Sequence, residues 1–568
     1  MTQSGEVVSH QAHNLGTGGA NPSSATKLIM SIKKIKTVSQ SCQEHWHYIN
    51  AVNWHLKLNH QNNSQSKIDF EWTLPIALTD VSVNADLQEI YDICDIIVQE
   101  QIDILALSLY SWNMSRLSTL AKLVKEKLPN LIIVAGGPAV SIDPHRNFMK
   151  QHDFLDYAVY GDGEIAFGRL LDHIAGYCTE LINVIDSSGH VYPHEVFMDR
   201  AILKQSPILT FQDEIREYVK STKARLKIYS PNIPTAFLWE TTKGCAFTCS
   251  FCDWSSGLHN KVRIWGKDEL EPPWKKELLF FADLGVDGIY WTNPNIGMAA
   301  QDEAIVNTWC ALKLSNPKTP VIIWPQLAKR HKKMAFKLLD QMLETGVTKH
   351  AKFDLQDLDL TVLENIDRPE IPWEEHKILI KNVLHRHRAK LDHQKTIDGF
   401  YISAHFIWGL PGQTLNNWLH NAQEVIPLGL YPYFQPFEIL PNTPANKIEY
   451  QEKFKITVKK IISFDGREIT AATSSYSMSE KDWFTGMLLT YLLPISDHVA
   501  ENIDIQSFFY NFIKQQTIID ESYEHFQRTT EVKLIVSKKH FTVKEHDASN
   551  NKIWKKMLKQ PNKVFQIG

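Results

Sequence analysis

The sequence lacks the features that would mark a membrane or exported protein. None of its apolar stretches approaches the roughly eighteen residues needed to cross a bilayer. The N-terminus has no basic segment followed by an apolar one, and the first arginine is Arg116, so neither a secretory signal nor an arginine-rich transit peptide is predicted. We therefore expect a cytoplasmic protein with reduced thiols.

A strong charge of one sign is also absent. Lysine and arginine number 60 and aspartate and glutamate 64, a net charge of −4, so no global positive field predicts a nucleic-acid partner. Seven cysteines in 568 residues are too few for a disulfide framework. Four of them are interpreted as ordinary reduced residues: Cys42, Cys94, Cys178 and Cys310. The other three, Cys245, Cys249 and Cys252, crowd into eight residues and need a chemical explanation.

The composition is that of a folded globular chain, with 43% hydrophobic, 11% aromatic and 22% charged residues. Residues 1–41 are rich in small polar types without apolar periodicity, which predicts a disordered leader. In residues 42–200 helical and strand patterns alternate, which predicts an α/β domain with a doubly wound, Rossmann-type parallel sheet. Its clearest strands are predicted at Ile102–Tyr110, Leu131–Ala135 and Tyr157–Tyr160.

Each of these three strands ends in small or polar residues. Ligands of such sheets bind at the carboxyl ends of the strands, so three aligned loops predict one binding cleft. The candidate binding residues are Ser108, Tyr110 and Ser111 in the first loop, Gly136, Gly137 and Pro138 in the second, and Gly161, Gly163 and Glu164 in the third.

A second alternation of strands and helices occupies residues 225–445 and predicts a partial (β/α)6 barrel, whose chemistry would gather at the carboxyl ends of its strands. The remainder, residues 446–568, has an aromatic-rich helical pattern and a basic tail, which predict a mostly helical C-terminal cap. The six barrel strands are predicted at Thr235–Trp239, Gly288–Trp291, Val321–Trp324, Lys349–Leu355, Phe400–Ile407 and Tyr433–Ile439.

The three clustered cysteines follow the first barrel strand with the spacing CxxxCxxC. Closely spaced thiolates hold iron-sulfur clusters, and this spacing can wrap three corners of a four-iron four-sulfur cubane while one iron stays open to a ligand. A zinc site with His259 as fourth ligand is the alternative, although no second CxxC occurs. Cys245, Cys249 and Cys252 are therefore the candidate catalytic and metal-binding residues.

These motifs resemble those of the radical S-adenosylmethionine (SAM) superfamily, and the preceding sheet domain resembles that of its cobalamin-binding branch. The likeness extends from about residue 80 to residue 445. It rests on several ordered segments besides the cysteines: Glu240–Cys245 and Asn260–Arg263 on either side of them, Asn293–Gly297 after the second strand, Phe353–Asp357 and Val362–Arg368 at the fourth, and Phe406–Thr414, with its Gly-Leu-Pro-Gly turn, at the fifth.

The resemblance implies roles for further residues. Phe251 would flank the adenine of SAM, Asn293 and Asn295 would lie near its methionine part, and Asp354 and Gln356 would line the barrel interior. The nine strand-end residues of the sheet domain would surround cobalamin. No Asp-x-His-x-x-Gly follows the first strand, so cobalamin is expected without a histidine as its lower cobalt ligand.

In this superfamily the open iron binds SAM, and one electron cleaves it to a 5′-deoxyadenosyl radical inside a barrel that excludes water. With cobalamin added, the implied reaction is methylation of an unactivated centre in a small molecule or peptide. The implied reductant is an external one-electron donor such as flavodoxin or ferredoxin, and no membrane partner is expected.

Three alternatives stay open at this point. The same architecture supports a cobalamin-dependent rearrangement or cyclisation, whose product gains no CH₂. A non-catalytic zinc or iron-sulfur scaffold would never cleave SAM. RNA modification is a minor alternative, because short lysine runs are usually solvated surface. Its only support is a set of C-terminal lysines: Lys552, Lys555, Lys556, Lys559 and Lys563.

Overall fold

The computed structural model describes residues 32–40, 46–79, 87–144, 147–177, 180–195, 205–255, 262–264, 272–330, 332–368, 370–387, 402–462, 468–497, 509 and 512–535. Its strands are β1 Lys33–Gln40, β2 His47–Ile49, β3 Phe70–Trp72, β4 Ile76–Leu78, β5 Ile104–Ser108, β6 Ile132–Gly136, β7 Tyr157–Val159, β8 Val184–Asp186, β9 Thr235–Trp239, β10 Thr242–Lys243, β11 Arg263–Ile264, β12 Gly288–Trp291, β13 Val321–Ile322, β14 Ala351–Gln356, β15 Ile402–Trp408, β16 Tyr431–Pro436, β17 Thr457–Ile462 and β18 Glu468–Ser474.

The helices lie between these strands in the alternation expected of an α/β chain. They are α1 Val52–Asn63, α2 Gln88–Gln99, α3 Met114–Lys127, α4 Phe148–Gln151, α5 Gly163–Ile174, α6 Pro207–Thr210, α7 Gln212–Tyr229, α8 Trp274–Leu284, α9 Ala300–Ser315, α10 Lys332–Thr345, α11 Leu360–Asn365, α12 Trp373–His387, α13 Leu415–Val425, α14 Ile448–Phe454, α15 Glu480–Asp497 and α16 Gln516–Thr529. Among the described residues, no helix combines the length and the apolar character needed to cross a membrane.

The N-terminal sheet has the order β3-β1-β5-β6-β7-β8, and β4 continues β3 along the same edge of β1. All pairings except that of β7 with β8 are parallel. Helices α2 and α3 cover one face through Ile93, Leu117 and their neighbours, while α5 covers the other through Phe167 and Leu170. This layered arrangement aligns the carboxyl ends of β1, β5, β6 and β7 at one edge of the sheet.

The prediction of a disordered leader over residues 1–41 is wrong for Lys33–Gln40. These residues form strand β1, which pairs with β5 in the centre of the sheet. Its lysine-rich sequence conceals the strand pattern. Ile35 and Val38 are fully buried, and Lys36 is 3% exposed because its ammonium group reaches Leu74 O (2.7 Å) and Glu100 Oε2 (2.9 Å). The stem of a buried lysine packs like an apolar side chain, but a sequence pattern counts the residue as polar.

The barrel consists of two parallel sheets, β13-β12-β9-β2 and β14-β15-β16, which a bridge between Ile322 and Thr348 joins. The six predicted strands are present, although β13 is shorter than predicted and the bounds of β14 and β16 differ by one to three residues. The first two residues predicted for β15, 400 and 401, lie outside the described residues. An additional strand, β2, pairs with β9 at the edge of the barrel. The sequence analysis had placed this segment in the sheet domain.

Strand β2 brings two aromatic side chains to the barrel. Alternate residues of β9 and β12, such as Trp239 and Trp291, pack outward against the helices. The opposite face belongs to a cluster that contains Trp46 and Tyr48. Trp46 lies so close to Gly288, the first residue of β12, that a Cβ there would approach its ring to 2.9 Å. This aromatic cluster therefore fills the end of the barrel opposite the strand carboxyl ends.

The described part of the C-terminal region contains helices α14, α15 and α16, as predicted, together with an antiparallel hairpin of β17 and β18. Helix α15 packs on the fifth barrel strand at Gly486, where a Cβ would come within 2.4 Å of the Trp408 ring. The indole N–H of Trp408 donates to Trp483 O at 2.8 Å. The basic tail, residues 552–563, lies outside the described residues.

Acidification is expected to destabilise the fold, because seven histidines of the described residues have lowered pKa values: His47, His55, His60, His152, His350, His376 and His405. Burial lowers the pKa of His47 and His405 to about 3 and that of His55, His60 and His350 to about 4. Between pH 6.5 and pH 4 the unfolded chain therefore binds more protons than the folded chain at these sites. The free energy of unfolding should fall on acidification by about 1.4 kcal/mol per pH unit for each histidine.

Carboxyl groups act in the opposite sense, since burial raises the pKa of Glu240 to about 7 and that of Asp253 and Asp302 to about 6, and also raises that of Glu277 and Asp357. Seven histidines against five carboxyl groups leave a net loss of stability at low pH, which urea unfolding at pH 7, 6 and 5 would measure. His350→Phe keeps a ring stacked on Trp324 and should flatten this pH dependence by one proton. A stability that is constant or rises toward pH 5 would contradict the prediction.

Candidate functional site

The three clustered cysteines lie in a loop whose two ends are held together by a short ladder. The loop leaves β9 at Trp239, and β10 then pairs antiparallel with β11, so that Lys243 lies opposite Arg263. Residues 245–252 are enclosed between these paired ends. Because β9 is parallel to its barrel neighbours, the loop lies at the barrel mouth, where barrel chemistry gathers.

The cysteine thiols belong to one cluster of packed side chains. Cys245 is 4% exposed and Cys249 is 2% exposed, and Cys252 packs against them together with Phe251 and Trp254. No three His, Cys, Asp or Glu side chains within the described ranges converge as ligands of a single ion. A cubane holds its thiolates on separate corners and does not need such convergence. The predicted fourth zinc ligand, His259, lies outside the described residues.

The surroundings of the thiols combine burial with nearby cations. Burial raises the pKa of Cys249 and raises that of Cys252 to about 11, while Lys329 acts on both in the opposite direction. Arg368 also lowers the pKa of Cys249. Thiols of this kind release their protons when a metal binds, and nearby positive charge favours the thiolate that results.

Asn295 links the cysteine loop to one of these cations. Its amide Nδ2 donates to Cys245 Sγ at 3.2 Å, and its Oδ1 accepts from Lys329 Nζ at 3.1 Å. Asn295 was predicted from the sequence, whereas Lys329 was missed. The signal was present, because Lys329 lies in the loop after the third barrel strand, at the same end of the barrel as the cysteines.

Asn293, the second predicted methionine contact, is buried and engaged with the protein. Its Oδ1 accepts from Thr242 N at 2.9 Å and from Thr241 Oγ1 at 3.1 Å. Its Nδ2 lies 3.3 Å from Asp302 Oδ1. The structure therefore places Asn293 as a support for the start of the cysteine loop, and its contact with SAM stays a prediction.

Phe251 lies between the cysteine cluster and the Gly-Leu-Pro-Gly turn. It packs against the thiols on one side and against a second apolar cluster that contains Leu410 and Phe437 on the other. The neighbouring residue, Ser250, donates its N–H to Ile366 O at 2.9 Å and accepts from Ala445 N at 3.0 Å. These contacts hold the loop against the segments that follow the fourth and the last barrel strands. The contact of Phe251 with adenine stays a prediction.

Asp354 and Gln356 lie at the carboxyl end of β14, where the register of its pairing with β15 shifts between them. Lys352 Nζ lies 3.1 Å from Asp354 Oδ1, and although burial opposes it, this ammonium group holds the pKa of Asp354 at about 2. Oriented by these neighbours, the Gln326 amide donates to Asp354 Oδ2 (2.9 Å) and accepts from Lys352 Nζ (2.8 Å). Gln356 has a φ of 66°, in the left-handed region that non-glycine residues rarely adopt. Lys352, Asp354 and Gln326 form a polar wall next to the aromatic cluster of Trp46 and Tyr48.

In the sheet domain, the first two predicted loops pack closely against each other and share a backbone hydrogen bond. Gly137 has a φ of 102°, and a Cβ there would lie 2.4 Å from Leu109 O. Leu109 N donates to Gly136 O at 2.7 Å. Pro138 accepts a bond of 3.4 Å from Asn442 Nδ2, which ties the second loop to the segment after the last barrel strand. The six candidate residues of these loops therefore lie side by side at the sheet edge.

The first loop also presents an unused donor. Asn113 Oδ1 accepts from Tyr110 N (2.8 Å) and its Nδ2 donates to Ser108 O (3.0 Å), so the turn that carries Ser111 is internally braced. Trp112 stacks on Tyr110 with ring centroids 4.4 Å apart. Its indole N–H is buried and has no acceptor among the described residues. A donor of this kind suits a ligand with peripheral amide carbonyls, such as a corrin.

The third predicted loop is turned toward the barrel. Gly163 begins α5, and Gly161 has a φ of 66°. Glu164 contacts Lys243, and Asp162 contacts Arg263, on the two paired strands that enclose the cysteines. The sequence analysis predicted Glu164 as a cobalamin contact and did not anticipate these partners.

One family model matches part of the chain, the B12 binding domain, over residues 75–171. The chain is 28% identical over 368 residues to the cobalamin-dependent radical SAM methyltransferase TokK of Streptomyces tokunonensis, which covers 63% of this chain and 50% of that protein. It is 28% identical over 357 residues to the 2-(S-pantetheinyl)-carbapenam-3-carboxylate methyltransferase of Streptantibioticus cattleyicolor. This match covers 61% of this chain and 48% of that protein. The chain thus spans about half the length of the curated relatives it matches.

Two solved structures have a similar fold. The radical SAM methyltransferase TsrM from Kitasatospora setae, with tryptophan substrate and a SAM analogue bound, aligns with a TM-score of 0.52 and 12% identity over 82% of this chain and 88% of that one. The cobalamin-dependent SAM radical enzyme OxsB aligns with a TM-score of 0.55 and 13% identity, over 95% of this chain and 82% of that one. These comparisons confirm the predicted fold class and the resemblance to the cobalamin-binding branch of the radical SAM superfamily.

Proposed function

We propose that this chain is a cobalamin-dependent radical SAM methyltransferase that acts on a small molecule or peptide. The observation that carries the proposal is the direct contact between the cysteine loop at the barrel mouth and the third strand-end loop of the sheet domain. This contact puts a three-thiol loop and a B12-type sheet edge beside one another. The names of the similar proteins support the same class of activity.

The residues present fit both cofactors. Cys245, Cys249 and Cys252 would hold the four-iron four-sulfur cluster, and the braced loops around Tyr110 and Gly137 would hold cobalamin. Bound there, the cluster supplies the electron that cleaves SAM, and cobalamin supplies a carrier for the methyl group. The other polar site residues would position SAM and substrate.

The chain's own contribution is positioning, charge and the exclusion of water. Asn295 orients the Cys245 sulfur, and hydrogen bonds to cluster sulfurs tune the reduction potential. Lys329 and Arg368 offset the negative charge that three thiolates bring to a buried site. Phe247, which is 8% exposed, shields the thiols from solvent. The polar wall formed by Lys352, Asp354 and Gln326 would face the interior of the barrel beneath SAM.

The substrate would be taken up between the barrel mouth and the sheet edge. We propose an external one-electron donor of the flavodoxin or ferredoxin type as reductant, and the cytoplasm as the compartment. The described residues contain no Asp-x-His-x-x-Gly segment whose histidine could ligate cobalt at the sheet edge. The nearest string begins at Asp143, which lies 3.2 Å from Asn446 Nδ2, and its His145 lies outside the described residues.

Anaerobic reconstitution tests this function. The chain is loaded with iron, sulfide and hydroxocobalamin, desalted, and given SAM and a strong reductant. We expect both cofactors to stay bound and 5′-deoxyadenosine to form, and a substrate product from methyl-labelled SAM to carry the label. A chain that retains neither cofactor would refute the proposal. A product without the added CH₂ would favour rearrangement, and a retained cluster that never cleaves SAM would favour a scaffold.

A further inference from the structure

Two basic residues face each other across the ladder that closes the cysteine loop. Lys243 is two residues before Cys245, and Arg263 is its partner on β11. Like charges directly opposite each other in an antiparallel pair repel, and here the repulsion would open the loop at its base. The ladder therefore needs a source of negative charge at this point.

That charge comes from the sheet domain. Lys243 Nζ forms an ion pair with Glu164 and lies 3.5 Å from Asp162 Oδ1. The guanidinium of Arg263 approaches both oxygens of Asp162, with Nη2 at 3.2 Å from Oδ1. This two-point contact fixes the plane of the guanidinium as well as its distance. Asp162 and Glu164 thus join both ends of the cysteine loop to one turn of the sheet domain.

The four side chains are removed from solvent. The exposed fraction is 2% for Asp162, 8% for Arg263, 15% for Glu164 and 19% for Lys243. Each of the two cations therefore has an acidic partner at a position that solvent barely reaches. Loss of Glu164 would leave Lys243 only the longer contact with Asp162, and loss of Asp162 would remove the two-point contact of Arg263. In either case the loop could relieve the weakened pairing of a buried cation by moving.

We propose that Asp162 and Glu164 are positioning residues for the cysteine loop. They set the spacing of the two loop ends, and through them the sheet domain becomes a structural part of the cluster site. This inference rests on the proposed function insofar as the loop holds a cluster. It competes with the predicted role of Glu164 as a cobalamin contact, because its carboxylate is directed at Lys243.

The test compares Asp162→Asn and Glu164→Gln with Asp95→Asn in the full-length chain. Asp95 also pairs with a lysine, at 2.7 Å, but on the exposed surface of the same domain. After anaerobic reconstitution with iron, sulfide and hydroxocobalamin, the two site variants should retain at least about threefold less iron than wild type, with cobalamin absorbance unchanged. The electron paramagnetic resonance change on adding SAM to the reduced cluster should also be lost. The surface variant should match wild type in all three measurements.

Loss of cobalamin with normal iron in Glu164→Gln would overturn the inference and restore the corrin role. A charge exchange, Asp162→Arg with Arg263→Asp, should recover iron relative to Asp162→Arg alone. No recovery would contradict the pairing.

Hydrogen exchange of the chain without iron, SAM or cobalamin gives a second readout. Amides of residues 242–255 and 262–264 should exchange at least about tenfold faster in the site variants, while those of β5 and β6 stay protected. Unchanged exchange at these residues would overturn the inference. If the wild-type chain binds no iron, the proposed function fails, and hydrogen exchange still decides whether the two acids position the loop.

Discussion

Cys249→Ala should abolish SAM cleavage, with 5′-deoxyadenosine formation falling by about a thousandfold or more. Cys249 is the middle thiol of the loop and is 2% exposed, so no solvent-borne thiol can take its place. Two remaining thiolates cannot anchor three corners of a cubane. Alanine occupies the site without strain, so the fold should persist. Iron content after anaerobic reconstitution and mass-spectrometric detection of 5′-deoxyadenosine measure the effect.

Cys310→Ala is the matched control. Cys310 is 3% exposed and lies in α9, where its sulfur accepts from Thr345 Oγ1 at 3.1 Å. Its removal should lower stability by about 1 kcal/mol, as for an average buried truncation, and should leave iron content and SAM cleavage intact. Equal losses in the two variants, or normal iron in Cys249→Ala, would contradict the assignment of the cysteine loop as the cluster site.

Gly137→Ala should destabilise the sheet domain by about 3 kcal/mol and weaken cobalamin retention by at least about tenfold. The added Cβ would lie 2.4 Å from Leu109 O, on backbone that cannot rotate away, and the φ of 102° is strained for alanine. The first and second strand-end loops would therefore separate. Urea unfolding measures the loss of stability, and cobalamin absorbance after gel filtration measures retention.

The adjacent glycine provides the control. A Cβ at Gly136 would meet nothing closer than Val159 O at 3.9 Å, an ordinary contact. Gly136→Ala should change stability by less than about 1 kcal/mol. If the two variants behave alike, the contact between Gly137 and Leu109 does not shape the binding edge.

Much of the fold follows from periodicity that the sequence displays openly. The run at Ile102–Tyr110 contains β5, and the run at Leu131–Ala135 overlaps β6 in all but one residue. The barrel strands at Thr235–Trp239 and Gly288–Trp291 agree residue for residue with the structure. Strand β1 escaped prediction because Lys36 is buried through its stem, which composition cannot reveal. Strand β2 has only three residues, and its partner is chosen by tertiary packing.

The candidate site was predictable where chemistry and spacing coincide and not where geometry decides. The cysteines and Asn295 lie together at the barrel mouth because both follow strand ends. Lys329 carries no motif, and only the fold brings it to Asn295. Glu164 shows the limit most clearly, because a loop sequence does not reveal which neighbour its carboxylate will meet. Its cobalamin role stays a prediction that competes with the ion pair.

The barrel edge has a consequence for how this protein is made. Strand β2 pairs with β9 through His47 and Thr235, and the chain between them must be synthesised before the pair can form. At about 5 to 20 residues per second, a delay of about 10 to 40 s separates the emergence of the two strands from the ribosome. During that time β2 has unpaired backbone groups, and Trp46 lacks the barrel end that will bury it. Slow translation or a shortage of chaperones would therefore first impair the folding of this segment, long before any cofactor is bound.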